Sequence, residues 1–377
     1  MSFMDHAQES MFRHFEEDCL AAKRNQSNKI CKSKPIYIFG AGSFGMSVAK
    51  ILLKDGFNLL GFIESNPRSS EAIGLPVYSW EEIAGDGSTA QLLIGIYNRD
   101  MPFDGLRDIA LSFGFKNIFM PWDIYSEFGA DLGWRYWLSD KATLLQNLDG
   151  IERAFQLLAD EESKKTLLDI CRFRMGLKNE YASFRHSENQ YFNELTVSTA
   201  SLLHTFTYID CGAYNGDTFH EAVKKFNITS AYLFEPDPSN FTELVKSTKS
   251  SGLTPICLPL AVSSRYQILS FSGSGEGGTI SEYGDVHIAA VSLDEILPNA
   301  KVNFIKFDVE GAEIAALQGA KNLIERSRPA LVLSMYHRPS DLWEIPSLLE
   351  AYCPSYKFYL RQHFYNSFDS VLYAIPN

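Results

Sequence analysis

The chain has 377 residues, 45% of them hydrophobic and 21% charged, with a formal net charge of -12. This length supports two or three domains with large cores. The acidic balance argues against a nucleic-acid partner and against docking on an anionic membrane surface.

The first residues carry charges and no apolar run, which excludes a signal peptide, and the sequence holds no stretch of about 18 apolar residues that would predict a membrane span. The six cysteines form no CxxC pair and no zinc spacing. They read as reduced core residues, so we expect a cytoplasmic protein.

The elements up to residue 121 predict a helix and then a small Rossmann-like α/β domain. Residues 1–34 form an amphipathic helix and a connector, with the helix packed on the body or on a neighbouring subunit of a homo-oligomer. In 35–121 a buried strand runs into the GxGxxG of Gly40, Gly42 and Gly45, and a second strand ends in Glu64. This unit is too short to hold NAD by itself.

Two interpretations of this first glycine turn stay open. Its amides could receive a nucleotide-sugar diphosphate at the start of the following helix, or its glycines could serve only close packing of helix on strand. The segments FGAGSFG, FIESNP and GLPVYSWEEI resemble the N-terminal domain of PglD-type sugar acyltransferases, over about residues 36–121. That resemblance implies a nucleotide-linked sugar at Gly40, Gly42, Gly45 and Glu64.

Residues 122–195 show helical spacing with many aromatics and predict a helical segment that joins two α/β domains. Its last part, 181–192, is polar and is a candidate lid over a ligand of the following domain. Residues 196–377 then predict the larger domain.

The second glycine turn follows a buried strand that ends at Asp210 and contains Gly212, Ala213 and Gly216. Asp217 and Thr218 fall where a helix N-cap is expected. A second strand ends in Glu235, which is placed to accept hydrogen bonds from ribose hydroxyls. Because Asp210 and Asp217 would repel a pyrophosphate, we expect S-adenosylmethionine, which has a ribose and a positive sulfonium, in preference to NAD.

Later strands also end in polar residues. The second domain alternates strand and helix five times and then adds two strands, and its strand ends include Asp237, Ala261, Val262, Asp308 and His337. Since ligands bind at the carboxyl ends of parallel strands, these residues predict one ligand-binding rim.

The order YIDCGAYNGDT, LFEPDP, LAVS, SLDEI and FIKFDVEGAEIAALQGA resembles the FkbM family of S-adenosylmethionine-dependent methyltransferases, over roughly 191–377. The resemblance implies a seven-stranded methyltransferase sheet and O-methyl transfer to a sugar or natural-product hydroxyl. By position it implies cofactor-binding residues and catalytic residues. The cofactor set is Asp210, Gly212, Ala213, Gly216, Asp217, Glu235, Asp237, Ala261, Val262 and Asp308; the catalytic set is His337, Asp308 and Glu310.

Many members of that family carry Glu-x-His after the fifth strand, whereas this chain has Met335-Tyr336-His337 and lacks the Glu. His337 suits the role of general base for a hydroxyl acceptor, with Asp308 or Glu310 as alternatives. Asp308 and Glu310 could instead hold a divalent cation, so the metal requirement stays open.

The predicted partner is a small-molecule or glycan acceptor. Two other functions remain as alternatives. One is a NAD-dependent sugar oxidoreductase built on the first glycine turn, which lacks a second half-fold and a nearby Tyr-x-x-x-Lys pair. The other is a non-catalytic nucleotide-binding or scaffold protein.

Overall fold

The structure is a computed structural model. It describes residues 6–24, 29–83, 85–178, 188–200, 206–249, 252–272, 279–280 and 286–377. The chain divides into two compact units: unit 1 comprises Met1–Leu148, Lys165–Arg185 and Phe364–Phe368, and unit 2 comprises Asp149–Lys164, His186–His363 and Asp369–Asn377. The predicted four-part division at residues 34, 121 and 195 stays a prediction.

Unit 1 is an α/β unit around one sheet. Its elements up to residue 148 are α1 (His6–Arg24), β1 (Ile36–Phe39), α2 (Ser43–Lys54), β2 (Leu59–Ile63), β3 (Glu71–Ala72), β4 (Leu75–Tyr78), a 3-10 turn (Asp86–Ser88), β5 (Gln91–Ile94), α3 (Phe103–Ser112), β6 (Asn117–Phe119), α4 (Pro121–Leu132) and α5 (Lys141–Leu145). The strand order is β3-β4-β2-β1-β5-β6, and β1 runs parallel to both β2 and β5. β1 is apolar at every position because both of its faces are buried.

Two helices follow. They are α6 (Leu148–Leu157), in unit 2 from Asp149 on, and α7 (Glu161–Arg174), which passes from unit 2 into unit 1 at Lys165.

Unit 2 is the larger unit. Its remaining elements are α8 (Glu194–Ala200), β7 (Phe206–Cys211), α9 (Asp217–Lys225), β8 (Ile228–Phe234), α10 (Pro238–Thr248), β9 (Ile256–Leu258), β10 (Ala261–Val262), β11 (Gln267–Ser272), β12 (Thr279–Ile280), β13 (Val286–Val291), α11 (Leu293–Ile296), β14 (Phe304–Phe307), α12 (Glu313–Gln318), α13 (Lys321–Ser327), β15 (Ala330–Ser334), α14 (Asp341–Tyr352), β16 (Lys357–Gln362) and β17 (Ser370–Ile375).

The main sheet of unit 2 has seven strands in the order β16-β17-β15-β14-β7-β8-β9. The five neighbouring strands β15, β14, β7, β8 and β9 pair in parallel. β17 runs antiparallel to both of its neighbours, β15 and β16. The mostly parallel seven-stranded sheet and the separate N-terminal α/β domain confirm the predicted fold class. A second sheet, β10-β13-β11-β12, was not predicted.

The strand order reverses at β7, which lies between β8 and β14. A crevice opens at such a switch point, beyond the carboxyl ends of the strands. The core under this edge is made of apolar side chains of the central strands, among them Tyr208, Leu233, Phe304 and Val332.

The six cysteines carry free thiols, and four of them are buried. Among the described residues we find no helix with the length and apolarity needed to span a bilayer. The first part of the predicted lid, 181–187, lies outside the described residues.

Candidate functional site

The turn after β7 lies so close to the turn after β14 that residue 212 has no room for a side chain. Gly212 has a φ of 90°, and a Cβ there would lie 1.9 Å from the carbonyl oxygen of Asp308. The amides of Gly212 and Ala213 donate to the Phe234 carbonyl at 3.0 and 2.9 Å. This glycine turn therefore holds the ends of β7, β8 and β14 together at one rim.

The start of α9 differs from the prediction. Gly216, with a φ of 89°, is its N-cap and makes no side-chain capping bond, while Asp217 is the first helical residue. The predicted cap by Asp217 and Thr218 is wrong, because the chain enters the helix in the left-handed region that glycine adopts without strain. The Asn215 side chain accepts instead from the Asp217 amide at 3.1 Å.

A cleft of about 390 Å³ lies beside this turn. Its lining comes from the turn, from the first residues of α9 and from one face of α10: Tyr214, Asn215, Asp217, His220, Asn240, Glu243 and Ser247.

Asp210 is fully buried and paired with a lysine that the sequence analysis did not single out. Lys306 Nζ, on β14, lies 2.9 Å from Asp210 Oδ1 and also donates to the Gly212 carbonyl at 2.8 Å. The Tyr208 hydroxyl donates to the other carboxylate oxygen at 2.8 Å. Burial alone would lower the pKa of Lys306, but the carboxylates of Asp210 and Asp308 outweigh it and raise that pKa.

This pairing changes one argument from the sequence. Lys306 neutralises Asp210, so the repulsion that Asp210 was expected to exert on a pyrophosphate is largely cancelled. Asp210 supports the glycine turn through Lys306, and direct contact of its side chain with a cofactor stays a prediction.

Glu235 follows β8 and is 5% exposed. Its Oε2 accepts from the Tyr214 amide at 2.8 Å, and its Oε1 accepts from the Asp237 amide at 2.9 Å. Burial raises the pKa of Glu235 to about 7, against the opposing effect of these backbone donors. The acid predicted to bind ribose is thus fixed on the glycine turn itself.

The other residues predicted near the adenosine are also placed. Asp237 caps α10, with Oδ1 accepting from the amides of Ser239 and Asn240 at 2.8 and 2.9 Å. Ala261 and Val262 form β10, which pairs with β13 in the smaller sheet, and both are buried.

A cluster of one histidine and three acids lies at the carboxyl ends of β14 and β15; we call it the acid–histidine cluster and define it as Asp308, Glu310, Glu313 and His337. His337 Nδ1 donates to Glu313 Oε1 at 2.8 Å. His337 Nε2 lies 3.6 Å from Asp308 Oδ1 and 3.5 Å from Glu310 Oε2. The side chains of His337 and Glu313 are fully buried, whereas those of Asp308 and Glu310 are 22% and 23% exposed.

The members of this cluster shift one another's charge states. Burial raises the pKa of Glu310 to about 8. Burial alone would lower the pKa of His337, but Glu313 and Glu310 outweigh it and raise that pKa well above its usual value. Burial likewise opposes ionisation of Asp308, but Lys306 and His337 prevail and lower its pKa.

Tyr191, from the described end of the predicted lid, contacts the same cluster. Its hydroxyl donates to Asp308 Oδ2 at 2.9 Å, and its ring lies 5.2 Å from Lys306 Nζ. Gln190 Nε2 donates to the Tyr191 hydroxyl at 3.0 Å. Tyr191 therefore holds Asp308 through the carboxylate oxygen that does not face His337.

The first glycine turn, in unit 1, combines tight packing with one open position. A Cβ on Gly45 would lie 2.1 Å from the Gly40 carbonyl oxygen, whereas a Cβ on Gly42 would meet nothing within 4 Å. The Ala41 amide donates to Glu64 Oε1 at 3.3 Å, as the Tyr214 amide does to Glu235 in unit 2. Ligand binding at this turn stays a prediction.

Sequence reasoning missed three residues of this rim. Glu313 supplies the carboxylate beside His337 that the Met335-Tyr336-His337 segment lacks, and it comes from the start of α12 instead. Lys306 and Tyr191 were missed as partners of Asp210 and Asp308. One signal was available: a lysine inside the apolar strand FIKF is out of place unless it is paired.

Comparison with known proteins bears on this region. Residues 210–364 match the family model described as the methyltransferase FkbM domain. The matched segment contains the glycine turn, Glu235 and the acid–histidine cluster.

A curated relative is hexuronic acid methyltransferase AglP from Haloferax volcanii. It is 32% identical over 127 residues, which are 32% of this chain and 52% of AglP, so the chain spans about half the length of that relative.

A solved structure, methyltransferase FkbM from Methylobacillus flagellatus KT, matches with a TM-score of 0.75 at 21% identity, over 97% of this chain and 100% of that one. This likeness shows a shared fold.

Proposed function

We propose that unit 2 transfers a methyl group from S-adenosylmethionine to a hydroxyl group of a sugar. The observation that carries the proposal is Glu235, a buried acid at the end of β8 that accepts from the glycine-turn amide inside a segment matching a methyltransferase domain. In the proposal this carboxylate accepts hydrogen bonds from both ribose hydroxyls, a charge-assisted contact that a neutral side chain does not provide.

The remaining cofactor contacts follow from the same rim. The methionine end of the cofactor lies against the glycine turn, at Gly212, Ala213 and Gly216. Asp217, the first residue of α9, also contacts the cofactor there. Asp237, Ala261 and Val262 border the adenine. Asp210 supports the cofactor site indirectly. Its partner Lys306 donates to the Gly212 carbonyl and so holds the glycine turn in place.

The acceptor lies, in this proposal, on the side of the acid–histidine cluster. Its hydroxyl oxygen attacks the methyl carbon, the carbon–sulfur bond breaks with its electron pair going to sulfur, and the hydroxyl proton passes into the cluster. Sulfonium is already a good leaving group, so the protein mainly positions the acceptor and removes its proton. We assign that task to His337, Asp308 and Glu310 together; the raised pKa of His337 favours its protonated form, so His337 accepts the hydroxyl proton only after it has lost its own.

The acceptor class rests on two supports. AglP is named as a methyltransferase of hexuronic acid, which is a sugar derivative. Unit 1 has a glycine turn with an open position at Gly42 beside α2, where a nucleotide-linked sugar could place its diphosphate. We therefore propose a sugar or glycan acceptor, recognised in its nucleotide-linked form by Gly40, Gly42, Gly45 and Glu64.

Calorimetry with S-adenosylmethionine, its demethylated product and NAD tests the cofactor assignment. We expect the first two to bind with one site per chain and NAD not to bind. Binding of NAD alone would overturn the proposal. Incubation with S-adenosylmethionine and a panel of sugars and nucleotide sugars, followed by mass spectrometry, then tests the acceptor class.

A further inference from the structure

We infer that the acid–histidine cluster binds one divalent cation through Asp308, Glu313 and His337. The inference deepens the proposed function and rests on it for the role of the ion, but not for its binding. One ligand atom from each of these three side chains lies within 4.8 Å of the others. Two carboxylates and an imidazole form a donor set that suits first-row cations such as Mn²⁺ or Zn²⁺.

The hydrogen bonds within the described residues leave one oxygen of Asp308 and one oxygen of Glu313 for an ion. Tyr191 donates to Asp308 Oδ2, and Asp308 Oδ1 has no hydrogen-bond partner among the described residues. Glu313 Oε1 accepts from His337 and from the Val309 amide, while Glu313 Oε2, on a fully buried side chain, has no hydrogen-bond partner in the described part of the chain. A buried carboxylate oxygen left this way costs free energy unless a cation or a donor reaches it.

One ion can join the three side chains if it replaces the hydrogen bond between His337 and Glu313. His337 Nδ1 and Glu313 Oε1 are already 2.8 Å apart, and Asp308 Oδ1 lies 3.6 Å from the other ring nitrogen. Metal binding requires a neutral imidazole, so the proton of that hydrogen bond is released when the ion binds. Two ligand atoms each about 2.1 Å from one ion are about 3.0–3.4 Å apart, so an ion would draw Asp308 slightly inward.

The cluster is open to solvent on one side, from which an ion and an acceptor can reach it. His337 and Glu313 form its closed bottom, and Asp308 and Glu310 form its partly exposed mouth. A cation held there polarises the acceptor hydroxyl that binds to it, and Glu310, which is outside the ligand set, is the carboxylate left to take the hydroxyl proton. The acceptor class this favours is a sugar with neighbouring hydroxyls, two of which can reach one ion.

The test is binding of Mn²⁺ alone, without cofactor or acceptor, to protein treated with chelator. Electron paramagnetic resonance titration should show one saturable Mn²⁺ per chain. Asp308→Asn and Glu313→Gln should each weaken binding at least tenfold, and the double variant should abolish it. Glu235→Gln, a buried acid of the same rim outside the cluster, is the matched control and should bind Mn²⁺ as the wild type does.

Several outcomes would overturn the inference. They are no saturable binding up to millimolar Mn²⁺, unchanged binding in the double variant, and equal loss in Glu235→Gln. Far-ultraviolet circular dichroism confirms that each variant is folded. If Mn²⁺ does not bind and metal-free protein methylates a sugar with S-adenosylmethionine, the cation inference fails while the proposed function stands; if Mn²⁺ binds and S-adenosylmethionine does not, the cation inference stands and the proposed function fails.

Discussion

Glu235 gives the sharpest prediction, because its surroundings make cofactor binding depend on pH. Only the ionised carboxylate can accept hydrogen bonds from both ribose hydroxyls through fully charged oxygens. With a pKa of about 7 in the unliganded protein, Glu235 is about nine-tenths ionised at pH 8 and about one-tenth ionised at pH 6.

The sign and size of the effect follow. Lowering the pH protonates Glu235, so the cofactor must displace that proton in order to bind. The dissociation constant for S-adenosylmethionine should therefore rise about tenfold between pH 8 and pH 6, and uptake of the cofactor should release about one proton at pH 6 and almost none at pH 8. Calorimetry in buffers of different ionisation enthalpy measures both quantities.

Substitution isolates the residue. Glu235→Ala should weaken cofactor binding at pH 8 at least tenfold, or about 1.4 kcal/mol, and should flatten the pH dependence. Glu64→Ala, at the equivalent strand end of unit 1, is the control and should leave both unchanged. If the wild type binds S-adenosylmethionine equally at pH 6 and pH 8, or if Glu235→Ala keeps the full pH dependence, Glu235 is not the titrating carboxylate that binds the ribose.

Three more predictions concern the rim. His337→Ala should lower turnover at least a hundredfold while S-adenosylmethionine affinity stays within twofold, measured by methyl-transfer rates and calorimetry; normal turnover would place proton removal elsewhere. Lys306→Met should cost about 3–5 kcal/mol of unfolding free energy in urea, because Asp210 is left buried and unpaired, and a loss below 1 kcal/mol would contradict the ion-pair assignment. Gly212→Ala should abolish cofactor binding and lower the melting temperature, since its Cβ would meet backbone 1.9 Å away, whereas Gly42→Ala should melt as the wild type does; equal effects of the two would contradict this account.

The variant Lys165→Met provides a comparison for the buried pair. Lys165 is 57% exposed and lies 2.7 Å from Asp169. Because Lys165 is exposed and the buried Asp169 keeps Arg172 and Lys178 as partners, we expect the loss of Lys165 to cost about 0–1 kcal/mol. A loss as large as that in Lys306→Met would show that general effects of removing lysine, and not burial, set the cost.

The strand ends were predictable because their signal is local. A buried apolar strand followed by glycines, or by an acid, predicts where a parallel sheet exposes its carboxyl edge. Gly212, Glu235, Asp308 and His337 all lie at such ends in the structure. The seven-stranded sheet followed from the same alternation and from the family resemblance.

What the sequence could not predict are the pairings between elements far apart in the chain. Lys306 meets Asp210 across 96 positions because β14 pairs with β7, although two other strands of the main sheet and the whole smaller sheet lie between them in the chain. Glu313 reaches His337 because α12 starts with its first turn over the end of β15. Such contacts depend on strand order and helix placement, which residue spacing does not encode.

The start of α9 shows a different limit. Asp217 and Thr218 have the side chains that favour N-caps, but Gly216 occupies that position in the structure. The conformation of the glycine turn after β7, and not the capping preference of Asp217 and Thr218, sets where α9 begins.

The five residues Phe364–Phe368, between β16 and β17, belong to unit 1 although the strands on either side belong to unit 2. Within unit 1, the Asn366 side chain accepts from the Phe103 amide at 3.0 Å and donates to the carbonyls of Asn98 and Met101 at 2.7 and 2.6 Å. During synthesis, more than 260 further residues must therefore be made after Phe103 before Asn366 can form these hydrogen bonds. The N-terminal unit is the first to leave the ribosome and yet one of the last parts of the molecule to be finished.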